Sequence, residues 1–462
     1  MVSLGARNKM ISPPARGGVP APAGGVVGAS AAHVATPSAR HSWWLVAALA
    51  LLCGCSANPI TGRSQFVMVS EESAISGSAS AYSNMMGQFS KKNKIEIETP
   101  RAERVRDITN RLVAEAVRFR PDAASWNWEV RVIDEPKIVN AFCMAGGKMA
   151  IYSGFWVKLN ATDDEIANVM GHEIGHALAS HTRERMSVAM ATGITVSLLA
   201  IGTSSRNDSS AMGRNESLYG IAAALAVTLP NSRESESEAD QIGIELAARA
   251  GYDPRAAVSL WKKMAAEGGG PPEFLSTHPA PENRMERLAS LVAKVDPYYQ
   301  KAKATRDTAQ IPTFIGVAAN ERAVDGISRE EYAAKIAAEG QVMTFVAEDF
   351  EKFRRGETVL TCGIDCAFGY NFQKGDWKRM HEKQSWRDLA VSLLRVGYDN
   401  DLSYFLLAEA ANGLGLKGAA KTYYERALAA QKAGKTCDGT FNTCEGFDIP
   451  NRAQAALRLA GD

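Results

Sequence analysis

Apolar positions recur at helical spacing through most of the chain, and short alternating runs interrupt them near residue 130. Helical patterns cover about 71–89 and 100–119. Trp126 to Ile133 alternates in the manner of a half-buried strand, and Gly146-Gly147 divides two further strand candidates, 138–143 and 148–152. A small sheet therefore precedes the next helix, which opens at Thr162-Asp163-Asp164-Glu165, a capping box, and is expected to run to about Arg183. Ile166, Met170, Ile174 and Ala177 form its apolar stripe, and at about 100° per residue His172 and His176 lie roughly 135° round from the middle of that stripe. Both histidines thus look into a cleft.

Residues 187–202 and 217–229 are apolar, but each run is shorter than the roughly 18–20 residues of a membrane span and carries Gly, Ser or Thr. They read as buried helices. Ser232 opens a helix that stops at Gly251, with Pro254 beyond it, and a further helix covers 253–266. A glycine-proline loop, Gly268 to Pro272, leads to Ser276-Thr277-His278-Pro279, and a helix from near Pro281 ends by about 295. A polar linker and more helical segments follow. In 401–430, Tyr404, Leu407, Ala408, Ala420, Tyr424 and Ala427 match one tetratricopeptide-type helix pair, which fits a plain helical scaffold and a peptide-binding array equally.

This pattern gives an α+β chain, mainly helical with a small sheet, and sets expected boundaries. These are a leader over 1–54, a tether over 55–70, a catalytic domain over 71–295, a linker over 296–328 and a helical C-terminal domain over 329–462. The formal charge is +1, and Arg7, Lys9, Arg16 and Arg40 sit in an acid-free leader, so the remainder is slightly acidic and gives no reason to expect nucleic acid. Trp43 to Leu52 is apolar, follows Arg40 and is too short to cross a bilayer, as in a secretory signal. The Pro-, Gly-, Ala- and Ser-rich preface over 1–39 places the expected start of that signal downstream, for example at Val34. Leu52-Cys53-Gly54-Cys55 resembles the bacterial lipobox, which implies lipidation of Cys55 and a periplasmic, membrane-tethered protein. By the same resemblance Ser56 favours the outer membrane. Export makes disulfides the reading of the close pairs Cys362/Cys366 and Cys437/Cys444, because no CxxC occurs and His381 is the only histidine nearby. Cys143 is left over.

The chemistry sits at His172-Glu173-Ile174-Gly175-His176. Two imidazoles one helical turn apart can take two positions of a tetrahedral zinc, with Glu173 between them to work on water. Only seven histidines occur in 462 residues, which makes a chance HExxH rare. Ala179 and Thr182 stand where a third-histidine continuation would place Gly and His, and no acid occurs between Glu184 and Asp208. The third ligand must come from Glu234, Glu236, Glu238 or Asp240. Glu236, Ala239, Asp240, Gly243 and Ala247 share a face of mostly small residues, suited to close packing on the HExxH helix. Helical geometry prefers Glu236 as ligand with Asp240 behind it, turns Glu234 and Glu238 toward solvent, and leaves Glu238 open as the alternative. Counted along a continuous helix, His181 falls about 140° from His176 and reads as structural.

Ser232-Arg233, Glu236 to Asp240, the HEIGH run, Asn140-Ala141-Phe142, Gly146-Gly147 and His278-Pro279 with Arg284 together resemble the HtpX and CAAX-prenyl-protease family of gluzincins. The likeness covers about 58–295 and is nearest to the family's periplasmic lipoprotein branch of BepA- and LoiP-like proteins. It implies a zincin-type metallopeptidase with one zinc on His172, His176 and Glu236, and with Glu173 as general base. It also implies substrate binding at Asn140, Ala141, Phe142 and Arg284, with Asn140 to Phe142 as an edge strand that takes an extended substrate. Implied partners are unfolded or misassembled envelope proteins. The rival expectation is a chaperone-like assembly factor for outer-membrane proteins with a mostly idle site. His278, between a loop and Pro279, is open to three roles: oxyanion donor, resting occupant of the metal's open position, or packing.

Overall fold

The computed structural model describes residues 55–462 apart from 192–219, 221–222, 225–227, 268–272, 280–282, 309–310, 317–327, 338–340, 362–365, 439–442 and 460–462. An N-terminal arm folds back on itself as two antiparallel strands, β1 (Cys55–Ala57) and β2 (Ser64–Phe66). Helix α1 (Glu71–Lys91) is capped by Ser70, which accepts from the Ser73 amide, and places Glu71 and Glu72 at its positive end. A short strand β3 (Ile95–Glu96) precedes α2 (Pro100–Phe119), capped by Thr99 and started by a proline whose missing N–H costs nothing there. The alternation near 130 becomes β4 (Glu129–Ile133), and the two candidates around Gly146-Gly147 become β5 (Ala141–Met144) and β6 (Lys148–Tyr152). Both glycines have positive φ, and a Cβ on Gly147 would collide with the Trp128 ring, 2.3 Å away. The strands lie in the order β3, β4, β6, β5, with β4 and β6 parallel and the other pairs antiparallel, so β5 is an edge among the described residues.

Thr162 and Glu165 close their capping box and start α3 (Asp163–Leu178). The expected continuation to Arg183 does not occur. Ser180 sits at φ 55°, and the last carbonyls are taken by Arg120, whose guanidinium donates to Leu178 O at 2.9 Å and to Ser180 Oγ at 3.0 Å. A new helix, α4 (His181–Ala191), leaves from there. The apolar runs 187–202 and 217–229 lie mostly outside the described residues. No described helix is long and apolar enough to cross a membrane.

Helix α5 (Arg233–Arg249), capped by Ser232, ends before Gly251 at φ 83°. It is followed by α6 (Arg255–Ala266) and α7 (Arg284–Ala302), the latter running past the expected end near 295. One apolar core joins α2, α3, the sheet, α5 and α6 through Leu112, Ile174, Val130, Leu246 and Trp261. It also takes in Phe314, Ile315, Ala333 and Met343, so residues read from sequence as linker and C-terminal domain contribute to it. Asn110 fixes that crossing by accepting from the amides of Phe314 at 2.7 Å and Ile315 at 3.2 Å.

Beyond two short helices, Gly154–Val157 and Glu273–Thr277, the further described helices are α8 (Arg329–Ala337), α9 (Thr344–Arg354), α10 (Cys366–Glu382), α11 (Trp386–Val396), α12 (Asp401–Gly413), α13 (Lys417–Lys432) and α14 (Ile449–Leu459). A second core, with Phe353, Trp377, Leu389, Phe405 and Tyr423, holds α9 to α14 together. Tyr404, Leu407, Ala408, Ala420, Tyr424 and Ala427 are all buried in it. Cys437 and Cys444 form a disulfide. Cys366 is also disulfide-bonded, while its expected partner Cys362 lies outside the described residues, and Cys143 is free and buried.

Candidate metal centre

Helices α3 and α5 touch at glycines. A Cβ on Gly171 would lie 2.7 Å from Gly243 O, and one on Gly175 would lie 3.1 Å from Ala239 O. Backbone contact at this crossing brings short side chains from both helices to one point. The Nε2 atoms of His172 and His176 are 3.1 Å apart. Glu236 reaches both, with Oε2 at 3.4 Å from His172 Nε2 and Oε1 at 3.2 Å from His176 Nε2. All three residues are buried, and with His278 they bring one ligand atom each within 4.8 Å of one another.

This donor set fits a zinc ion. Two imidazole nitrogens and a carboxylate converge on one point, and Glu236 Oε1 is buried without accepting a hydrogen bond from any described residue. Burial opposes charge on His172, yet the Glu236 charge and the hydrogen bond to Asp240 raise its pKa to about 9. At His176 burial prevails and drives the pKa well below the ordinary value. Glu236 is held ionised against burial, chiefly by the neighbouring His278 and His172.

The ligands are braced from behind. Asp240 Oδ1 lies 3.0 Å from His172 Nδ1, which fixes that ring. Arg284 donates to Asp240 at 2.6 Å and to Glu236 at 2.8 Å, with its guanidinium 3.9 Å from the centre of the Trp261 ring. The expected substrate contact by Arg284 is therefore corrected: the side chain is fully buried and spent on two carboxylates of α5.

Glu173 projects from α3 beside the ligands, and its Oε1 lies 3.2 Å from His278 Nε2. His278 stacks on Phe274 with ring centres 4.2 Å apart, and its Nδ1 lies 3.0 Å from Thr277 Oγ1. Asn140, Ala141 and Phe142 lie at the start of β5. Asn140 O accepts from Tyr152 N at 3.0 Å and Met144 O accepts from Gly147 N at 3.1 Å. By antiparallel alternation Phe142 therefore bonds inward to β6, and Ala141 and Cys143 turn their backbone groups to the open edge. Asn140 Oδ1 covers the Ala141 amide at 2.9 Å.

Sequence reasoning missed two residues. Glu238, expected in solvent, is buried, and His181 packs its ring against His176, with Nδ1 to Nδ1 at 2.8 Å. The break at Ala179-Ser180 turns His181 toward His176, and neither Gly nor Asn marks it in the sequence, while Glu238 is covered by Asn58, Thr61 and Arg63 of the N-terminal arm. Glu234 is in solvent, its side chain 59% exposed.

Fold and donor set together define a zinc metallopeptidase. Peptidase family M48 matches over residues 100–292, and a yeast (Saccharomyces cerevisiae) relative is 30% identical over 53% of this chain and 71% of its own length. The chain belongs to peptidase family M48. The yeast relative is mitochondrial metalloendopeptidase OMA1. OMA1 of Arabidopsis thaliana is 40% identical over 35% of this chain, and the beta-barrel assembly-enhancing protease of Yersinia pestis is 27% identical over 42%. The chain spans only 31% and 39% of those two proteins. These relatives support the assembly-protease branch of the expected resemblance rather than HtpX itself. The expected lipid-anchored placement in the periplasm is overturned by the similarity to mitochondrial enzymes. Cys55 is the first described residue and opens β1.

Proposed function

We propose that the chain is a metalloendopeptidase that hydrolyses internal peptide bonds of extended, unfolded protein segments. The observation that carries this reading is Glu173, buried beside the ligands with Oε1 accepting no hydrogen bond from any described residue, on a helix packed against edge strand β5. A zinc ion on His172, His176 and Glu236 would supply a Lewis acid that polarises the scissile carbonyl and acidifies water. Glu173 takes the proton of the attacking water and delivers it to the leaving amine nitrogen, a role worth roughly 10²–10⁴ in rate. The outward carbonyl of Ala141 and the outward backbone groups of Cys143 pair with substrate main chain, which selects extended chain over particular side chains. Asp240 and Arg284 keep the ligands oriented, and His278 caps the cluster beside Glu173. The test is hydrolysis of casein by the purified full chain, together with a peptide series N-methylated around the scissile bond. Methylation at the residue paired with β5 raises KM, whereas cleavage indifferent to it removes strand addition.

A second reading, client holding in protein quality control, is favoured by a cavity of about 1020 Å³. It lies between the start of α5, the N-terminal arm and α9 to α11, and its walls include Gln241, Phe345, Leu360 and Leu394. Clients retained by a Glu173→Gln variant through this cavity would support it.

A further inference from the structure

Behind the metal ligand His176 a chain of polar contacts runs to the N-terminal arm. If His176 Nε2 faces the metal, its Nδ1 carries the proton and donates to His181 Nδ1 at 2.8 Å. His181 is then protonated on Nε2, which lies 3.0 Å from Glu238 Oε2. The directions are consistent from end to end. Glu238, 8% exposed, accepts further from Arg63 Nε at 2.9 Å, from Asn58 Nδ2 at 3.3 Å and from the Thr61 hydroxyl. Arg63 meanwhile grips Glu184 with both terminal nitrogens, at 3.0 and 2.8 Å. The arm is held in place from its other side, where the Ala57 amide donates to Asp376 at 3.2 Å and Gln373 donates to the Ser64 hydroxyl.

We propose that His181 and Glu238 are positioning residues for the ligand His176, and that Arg63 on the N-terminal arm holds this relay in register. An imidazole donating to a second imidazole that is itself tied to a carboxylate is a stronger and better aimed metal donor than a free one. His172 has its counterpart in Asp240 and Arg284. The metal centre is thereby braced twice, once from α7 and once from residues 58–63, which lie well upstream of the HExxH helix. The inference rests on His176 being a zinc ligand.

The experiment measures zinc affinity of the full chain by competition with a chromogenic chelator, the visible spectrum of the cobalt-substituted protein, and the melting temperature of the metal-free form. Glu238→Gln, which keeps volume, and His181→Ala should each weaken zinc binding about 10–100-fold and shift the cobalt bands. The double variant should bind no more weakly than His181→Ala, because Glu238 acts through His181. Arg63→Lys should not restore what Arg63→Ala loses, since one ammonium cannot bridge Glu238 and Glu184 in the same way. A lowered melting temperature with zinc affinity and cobalt spectrum unchanged would overturn the proposal and leave the network as packing. Glu236→Gln is the control: if it binds zinc like wild type, the metal-site reading fails, whereas if it alone loses zinc, the relay fails.

Discussion

Gly171 and Gly243 meet across the crossing of α3 and α5 so closely that a Cβ on Gly243 would stand 2.5 Å from the backbone nitrogen of His172. Gly243→Ala therefore pushes a ligand-bearing helix away from its carboxylate partner. It should lower stability by about 1–3 kcal/mol and weaken zinc binding. Gly87→Ala on α1, where a Cβ meets nothing within 4 Å, should gain about 0.5–1 kcal/mol and leave zinc untouched. Thermal melts of both, with and without zinc, check the contrast.

Glu173→Gln should retain one zinc per chain and lose about 10²–10⁴ in kcat toward casein. Metal analysis alongside the rate separates loss of the base from loss of the site. A variant that cleaves at the wild-type rate would remove Glu173 from the mechanism.

Replacing Glu236 by Ala removes the carboxylate that faces both imidazoles and leaves Arg284 buried without one of its partners, so zinc and activity should both be lost. Arg284→Ala should weaken zinc about tenfold or more. Glu234→Ala should change stability by less than about 0.5 kcal/mol. Zinc titrations of the three variants test the order.

His278 supplies the fourth atom of the cluster and holds its Nε2 beside Glu173. If His278 is the resting occupant of the metal's open position, His278→Ala should raise basal casein hydrolysis. A fall in kcat with zinc content intact would instead assign it to the oxyanion.

Cys437→Ser opens a short disulfide loop next to the α12–α13 pair and should cost about 2 kcal/mol. The loss should appear in the melting of the C-terminal helices, with zinc affinity unchanged.

The capping box at Thr162, the HEIGH run and the small-residue face of α5 each state a local requirement, and each was legible in the sequence. Helical spacing prefers Glu236 and sets Glu234 on the far side of the same helix, but it leaves Glu238 open, and the resemblance is what singles out Glu236. Glu238 and His181 did not follow. For His181 the cause is Ser180, since a rotation of about 100° per residue holds only within one helix and this left-handed residue resets the count, whereas Glu238 is buried because Asn58, Thr61 and Arg63 of the distant N-terminal arm cover it. Arg284 was misread for a different reason. Its substrate role came only with the resemblance, and only the fold shows Glu236, Asp240 and Trp261 already surrounding it. The length of the catalytic body is illegible because the apolar runs around Phe314-Ile315 and Val342-Met343 are short, and nothing local says which core they join.

Arg63 reaches Glu184 across 121 positions and Glu238 across 175. Contacts of that span close late in folding, after the local helices and hairpins have formed. During synthesis the HExxH helix is complete long before α5 exists, and α5 is complete before α10 and α11 can clamp the arm. A nascent or truncated chain therefore carries two paired imidazoles on a formed helix without their braces. Full metal affinity becomes a mark of a finished molecule, so an unfinished copy remains a poor protease in the interval when it is itself unfolded and open to attack.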